Sequence, residues 1–133
     1  MRYVSALDRI VGPNGISGNV FLIAPKHNTV TRSLRVLPPS EPRRGHDVGT
    51  TSPAHLDVYL LASDHDAQSL AVVALDSGMV VSRVHLASRP DCVRYVKSVD
   101  QIWAPEPKTQ QIQVFEPGLS SPRPTLHRVG KSR

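Results

Sequence analysis

The chain repeats itself, because residues 1–25 align with residues 93–117 at a constant offset of 92 and without a gap. Seven of the 25 aligned pairs are identical: Arg2/Arg94, Tyr3/Tyr95, Val4/Val96, Asp8/Asp100, Ile10/Ile102, Pro13/Pro105 and Pro25/Pro117. A third copy lies between them, since LAVVAL at residues 70–75 precedes IQVFEP at residues 112–117 by 42 positions. Self-similarity at a fixed period marks a repeat architecture, so we predict three units of about 42 to 46 residues.

The pattern of each unit predicts short strands rich in β-branched and aromatic residues, separated by turns that contain Pro, Gly, Asp and Asn. In the third unit we predict strands at residues 91–98, 101–104, 111–115 and 125–129. In the second unit we predict them at 46–51, 56–62, 69–75 and 79–86, with a turn at 52–55. The first unit supplies strands at 2–5, 19–24 and 29–36. No window keeps a helical apolar period over ten or more residues, so little or no helix is expected.

The size and number of the units predict an incomplete ring of sheets. A unit of about 40 to 45 residues matches one four-stranded blade, and closed rings typically need about 4 to 8 blades. We therefore predict an all-β, open partial propeller of three four-stranded antiparallel blades. Blade 1 is predicted at residues 1–36 and starts inside the blade, blade 2 at 46–88 and blade 3 at 89–130. A Pro- and Arg-rich linker occupies 37–45, and 131–133 form a basic tail.

Charge and cysteine content exclude several classes of function. The formal net charge is +5, but Arg123, Arg128, Lys131 and Arg133 lie in the last fifteen residues without an acid, so the remaining body is nearly neutral. Scattered charges with no interleaved aromatic residue argue against nucleic-acid binding. The single cysteine, Cys92, excludes an internal disulfide. With no apolar signal region and no membrane-length apolar run, we expect a soluble, cytoplasmic chain without membrane association, or a periplasmic or secreted one if its N-terminus is truncated.

Several segments resemble YVTN-type repeats, the blade repeats of seven-bladed β-propellers related to the NHL and lactonase-like groups. The resemblance rests on His46-Asp47 and Pro90-Asp91 at the starts of units, VYL at residues 58–60 in a second strand, VVA at 72–74 in a third strand and GMVV at 78–81. It covers about nine tenths of the chain, leaving out the linker and the last few residues. Cys92 departs from the family pattern, which has Gly after Pro-Asp.

By this resemblance, residues at the start of each inner strand face the central channel, where propellers bind ligands. The channel-facing candidates for ligand binding are His46, Asp47, Arg89 and Asp91, together with Glu106 at the following strand-to-turn position. Histidine and carboxylate side chains that converge could bind a divalent cation, although the residues themselves require no cofactor and indicate no catalytic residue. The alternative is structural: Asp47 and Asp91 accept backbone N–H bonds in loops, a common role for Asp.

A second group of ligand-type side chains, His55, Asp57, Asp64, His65 and Asp66, is predicted to be a solvated turn instead of a metal site. Trp103 and Tyr59 are predicted to occupy equivalent second-strand positions and to pack between blades.

Three functional interpretations follow. The first is a non-catalytic binding or scaffold module that associates with a protein partner, or with itself, through open blade faces. The second is a fragment of a lactonase-like, metal-dependent hydrolase. The third is a truncated remnant without independent activity, which a chain that begins inside a blade would favour. Three blades leave two open lateral faces lined by apolar residues, which favours the first interpretation. The sequence also has no Gly-rich phosphate loop, no Gly-x-Ser-x-Gly elbow and no His-Glu-x-x-His motif.

Overall fold

The computed structural model describes residues 1–14, 17–36, 50–118 and 125–132, which form three four-stranded antiparallel sheets of consecutive strands. The first sheet contains β1 (Arg2–Val4), β2 (Arg9–Asn14), β3 (Asn19–Ala24) and β4 (Thr29–Arg35). The second contains β5 (Thr50–Leu56), β6 (Tyr59–Asp64), β7 (Ser69–Ala74) and β8 (Val80–His85). The third contains β9 (Arg94–Val96), β10 (Gln101–Glu106), β11 (Gln111–Gly118) and β12 (Thr125–Ser132).

The predicted all-β class and the three four-stranded sheets are confirmed. The described residues contain three 3-10 turns of three residues each and no α-helix. No helix among them is long and apolar enough to span a membrane. The predicted linker 37–45, together with His46 and Asp47, lies outside the described residues.

The three sheets share one pairing register, which reproduces the sequence repeat in space. Rows of paired residues from the first three strands run across each sheet: Tyr3, Ile10 and Ile23 in the first; His55, Leu60 and Val73 in the second; Tyr95, Ile102 and Phe115 in the third. Each sheet also has a register shift between its third and fourth strands, directly after Leu22, Val72 and Val114. These three residues are equivalent in the register, so even the irregularity is repeated.

Left-handed turn residues recur at equivalent positions too. The first hairpin of each sheet carries an aspartate at positive φ: Asp8 at 47°, Asp57 at 52° and Asp100 at 51°. Aspartate tolerates this conformation better than most residues, because its short side chain can bond locally. The second hairpin of each sheet ends on another such residue, Gly18, Gln68 or Gln110.

The second sheet corrects two predictions. The predicted turn at 52–55 lies inside β5, which tolerates Pro53 because β5 is an edge strand paired only with β6. The real turn is Asp57–Val58, two residues shorter than the corresponding connection 97–100 in the third sheet. As a result, Trp103 is equivalent to Leu61 and not to Tyr59.

Strand β10 runs through Pro105, where the sequence predicted that it would stop. The Pro105 carbonyl accepts a 3.1 Å bond from the Asp91 backbone N–H, on the side away from β11. Since the nitrogen and the carbonyl of one strand residue point to the same side, the N–H that proline lacks would also point away from β11. Pro105 therefore removes no bond from the β10–β11 ladder, and β10 continues to Glu106.

Each sheet has two faces, which we call leading and trailing. The leading faces carry Ile10, Leu60 and Ile102, and the trailing faces carry Val11, Leu61 and Trp103. The trailing face of the first sheet packs on the leading face of the second, forming a core of Val11, Val20, Leu22, Leu60, Ala62 and Val73. The trailing face of the second packs on the leading face of the third, with Leu61, Leu70, Val72, Ile102, Ala104 and Phe115. The sheets thus stack in chain order, and the second is buried on both faces.

Candidate functional site

The first strands of all three sheets, β1, β5 and β9, line one groove. A cavity of about 590 Å³ lies where these strands enter their first hairpins, lined by residues 2–6, 55–57, Tyr95 and Lys97. A second cavity of about 640 Å³ lies along β1 and β9 and shares Arg2, Tyr95 and Lys97 with the first. The first strands of the three sheets therefore border a shared space.

Three ring side chains at register-equivalent positions border the first cavity. Tyr3, His55 and Tyr95 each pair with the corresponding leading-face residue of the second strand. The Nε2 atom of His55 is buried and has no hydrogen-bond partner among the described residues. These rings come from distant parts of the chain, and the repeated pairing register brings them together. No local sequence motif does so.

The two tyrosines are fixed by identical bonds. The Tyr3 hydroxyl donates to Asp8 Oδ1 at 2.9 Å, and the Tyr95 hydroxyl donates to Asp100 Oδ1 at 2.7 Å. The hydrogen bonds to the aspartates are the main cause that raises the pKa of both tyrosine hydroxyls above the ordinary value. Ionisation of a hydroxyl would remove the proton that it donates and would place its negative charge beside that of the carboxylate. Both hydroxyls therefore act as hydrogen-bond donors, and each already donates its proton to the aspartate of its own hairpin.

The groove carries mixed charge. Arg2, Arg94 and Lys97 are exposed along β1 and β9, and Asp57 is the carboxylate in the lining. Such a surface can bind a polar ligand through hydrogen bonds and cations. Within the described ranges, no three His, Cys, Asp or Glu side chains are grouped so as to bind a metal ion.

The channel-facing candidates that the structure describes lie outside these two cavities. Arg89 and Asp91 are exposed on the segment between β8 and β9, and neither lines the two cavities. Asp91 bonds through its backbone to Pro105, next to Glu106, so these two candidates come together at the end of β10. That end is opposite the hairpins that border the first cavity. His46 and Asp47 lie outside the described residues, so the five predicted residues stay a prediction as a ligand site.

Glu106 is fully buried on the leading face of the third sheet. Its Oε2 atom accepts a 3.3 Å bond from the Thr109 hydroxyl, within the turn that follows β10. Two equivalent residues serve their turns in the same way: Asp64 Oδ1 accepts from Ala67 N at 2.9 Å and Asn14 Oδ1 from Ser17 N at 3.1 Å. The repeated contact supports a turn-stabilising role at this position.

The trailing face of the third sheet is open. Its row contains Arg94, Trp103 and Val114, and the equivalent rows are Arg2, Val11 and Leu22 in the first sheet and Ala54, Leu61 and Val72 in the second. Val11 and Leu61 are 1% and 0% exposed, whereas Trp103 is 38% exposed. Ile112 and Val114 beside it are half-buried. The same position is therefore buried in the first and second sheets, which another described sheet follows, and open in the third, which no described sheet follows.

The leading face of the first sheet is also open, at the other end of the stack. Ile10 and Ile23 are half-buried, whereas their equivalents Ile102 and Phe115 are 0% and 1% exposed against the second sheet. Tyr3 extends the same open row. Two apolar sheet faces of opposite kind are thus uncovered at the two ends of the stack.

Sequence reasoning missed the ring row and misplaced Trp103. The signal for the tyrosines was present, since Arg2/Arg94 and Tyr3/Tyr95 are identical pairs at offset 92. His55 could not be aligned with them, because the shorter hairpin of the second sheet shifts its first strand by two residues relative to the rest.

Comparisons with known proteins agree on the fold. The chain is similar to a proposed 6-phosphogluconolactonase from Bacteroides fragilis, with a TM-score of 0.75 and 17% identity over 99% of this chain and 38% of that one. It is similar to the β-propeller domain of Myceliophteria thermophila Cps50 (Swd1), with a TM-score of 0.66 and 17% identity over 96% and 37%. It is also similar to Kluyvelomyces marxianus Hsv2, with a TM-score of 0.65 and 12% identity over 99% of this chain and 44% of that one. No family model and no curated protein sequence matches the chain.

These similarities show that the three sheets have the arrangement of consecutive β-propeller blades, which confirms the predicted partial propeller. The chain spans less than half the length of each of the three structures. The finer assignment to YVTN-type repeats stays a prediction.

Proposed function

We propose that the chain is a non-catalytic protein-binding module whose binding surfaces are the two open sheet faces, the trailing face of the third sheet and the leading face of the first. The observation that carries the proposal is the contrast between Trp103, 38% exposed, and its equivalents Val11 and Leu61, 1% and 0% exposed. Exposed contiguous apolar surface favours association, because removing it from water contributes about 25 cal/mol per Å².

The charge distribution supports the same choice. The open trailing face carries Trp103, Pro105, Ile112 and Val114, and the charged residues Arg94 and Glu116 lie on the same face. An apolar centre with an aromatic anchor and a charged rim is the usual composition of a protein interface. The fold similarity to the propeller domain of Swd1 is compatible with such a role.

Site-specific photo-crosslinking tests this proposal. A photoreactive benzoylphenylalanine at position 103 is compared with the same group at Val58, an apolar residue that is 54% exposed on a hairpin turn. We expect a specific protein adduct from position 103 and none from position 58. We also expect Ile112→Arg, introduced into the chain that carries the photoreactive group at position 103, to abolish this adduct. Adducts at equal yield from both positions, or none from position 103, would contradict the proposal.

A second candidate is a fragment of a lactonase-like hydrolase, favoured by the similarity to the Bacteroides fragilis structure. In this interpretation Asp91 and Glu106 contribute to a divalent metal site that polarises a lactone carbonyl. Metal analysis of the purified chain, followed by lactone hydrolysis with the wild type and Asp91→Ala, tests it. Metal-free protein without turnover would contradict this candidate.

A further inference from the structure

We infer that the partner of the open faces is a second copy of this chain, packed head to tail so that two copies close a ring of six sheets. This inference rests on the proposed function, since it names the occupant of the same faces. In it, the trailing face of the third sheet of each copy covers the leading face of the first sheet of the other.

The two open faces match because they repeat an interface that the molecule already contains twice. Inside the chain, a trailing face packs on the next leading face between the first and second sheets and again between the second and third. The open trailing face presents Trp103, Ile112 and Val114 at the register positions of Val11, Val20 and Leu22. The open leading face presents Ile10 and Ile23 at the positions of Ile102 and Phe115. A third junction of the same kind therefore needs no new geometry.

The number of sheets selects two copies. A contact between unlike faces is heterologous, and it produces either a closed ring or an open filament. Propeller rings close with about 4 to 8 blades. The described residues of one copy form three sheets, so two copies supply six sheets and three copies supply nine, and only six falls within this range.

The open leading face has a small residue at the position where both internal junctions also have small residues. Gly12 lies on this face, and its equivalents Ala62 and Ala104 are fully buried where sheets meet. A β-carbon at Gly12 would first meet the Met1 side chain at 3.7 Å, and Met1 is itself 83% exposed. Gly12 is buried beneath the Met1 and Ile23 side chains, so packing of a second copy at this point requires the exposed Met1 side chain to move aside.

Light scattering of the full 133-residue chain, over a dilution series, tests the inference. We expect a mass of twice 14.6 kDa that falls to 14.6 kDa on dilution. Trp103→Arg and Ile23→Arg should each give the 14.6 kDa species at concentrations where the wild type is dimeric. Val58→Arg, the matched control on an exposed turn, should remain dimeric. Circular dichroism of all variants establishes that their sheet content is unchanged.

Mixing the two disruptive variants identifies the head-to-tail geometry. Trp103→Arg retains an intact leading face and Ile23→Arg an intact trailing face, so their mixture regains one of the two junctions. We expect a dimer that neither variant forms alone and that is weaker than the wild type. A mixture without dimer, a wild type that remains monomeric at all concentrations, or a wild type that grows into open polymers would overturn the inference.

The outcomes separate this inference from the proposed function. If the chain is monomeric by scattering while position 103 still crosslinks to a protein of another mass, the binding module stands and the second copy is wrong. If the chain is monomeric and position 103 gives no adduct, both are wrong. A crosslinked adduct of twice the chain mass, together with the scattering dimer, supports both.

Discussion

Tyr95 donates a 2.7 Å hydrogen bond to Asp100 across the first hairpin of the third sheet, and Tyr3 and Asp8 make the same bond at 2.9 Å in the first sheet. In both hairpins the aspartate adopts the left-handed conformation and follows a 3-10 turn. The bond ties the first strand to its turn, so the same residues that carry the sequence repeat also shape the hairpins at the groove.

Replacing Tyr95 with Phe should remove a pH-dependent contribution to stability. Since the bond to Asp100 raises the Tyr95 pKa in the folded state, its contribution is complete below the ordinary tyrosine value of about 10 and is lost as pH rises through the folded pKa. We expect Tyr95→Phe to lower the free energy of unfolding by about 0.5 kcal/mol at neutral pH, the low end for a hydrogen bond because solvent competes.

Urea unfolding of both proteins between pH 7 and 11 measures this effect. The difference between wild type and variant should shrink above pH 10. A difference that stays constant or grows across this range would show that the bond does not stabilise the fold.

Gln110 is an exposed residue at φ 54°, at the position that Gly18 occupies in the first sheet. A non-glycine residue pays about 1–2 kcal/mol for this conformation, partly offset by the greater freedom of glycine in the unfolded chain. We therefore expect Gln110→Gly to raise the free energy of unfolding by about 0.5 kcal/mol and Gly18→Gln to lower it by a similar amount. Opposite signs in urea unfolding are the expected result, and equal signs would refute the equivalence of these turns.

Arg32 links the first and second sheets, because its guanidinium donates to the carbonyls of Leu75 and, at 3.3 Å, Asp76. Replacing this half-buried residue with Met keeps its aliphatic stem and removes both charged donors. We expect Arg32→Met to destabilise the protein by about 1–3 kcal/mol. Arg35→Met, at an exposed position of the same strand, should change stability by less than about 0.5 kcal/mol. Equal effects in urea unfolding would exclude Arg32 as an inter-sheet link.

Gly78 lies at φ 71° in the hairpin that Arg32 reaches, and a β-carbon there would come within 3.1 Å of Arg32 Nη2 and Leu34 Cδ2. Gly78→Ala should therefore combine backbone strain with displacement of this contact and destabilise the protein by about 1–2 kcal/mol. In the double variant with Arg32→Met the two effects should be less than additive, because both act on one contact. Strict additivity would show that Gly78 acts through its backbone alone.

Local signals explain how much of the fold could be predicted from the sequence. The repeat, most strand segments and the turn at Gly78 follow from periodicity and turn residues within a few positions of one another. Strand β2 was not predicted, and the strand predicted at 56–62 contains the observed turn at 57–58. The turn predicted at 52–55 was wrong because Pro53 lies on an edge strand, and strand order is a property of the whole sheet.

The binding surfaces depend on packing and so needed the structure. Trp103 and Leu61 have equivalent positions, yet one is exposed and the other buried, because exposure depends on whether another sheet follows. Glu106 shows the same dependence on packing, because no local signal in the sequence predicts that it is fully buried or that it contacts Thr109.

The fluorescence of Trp103, the only tryptophan of the chain, tests most directly whether the open trailing face is covered by another sheet. Emission and acrylamide quenching are measured over a dilution series of the full chain, with Ile23→Arg as the control that keeps Trp103 but loses the opposing face. At high concentration the account predicts blue-shifted emission that resists quenching and moves to the red on dilution, while the Ile23→Arg chain stays red-shifted throughout. Red-shifted, readily quenched emission of the wild type at every concentration, identical to that of Ile23→Arg, would contradict it.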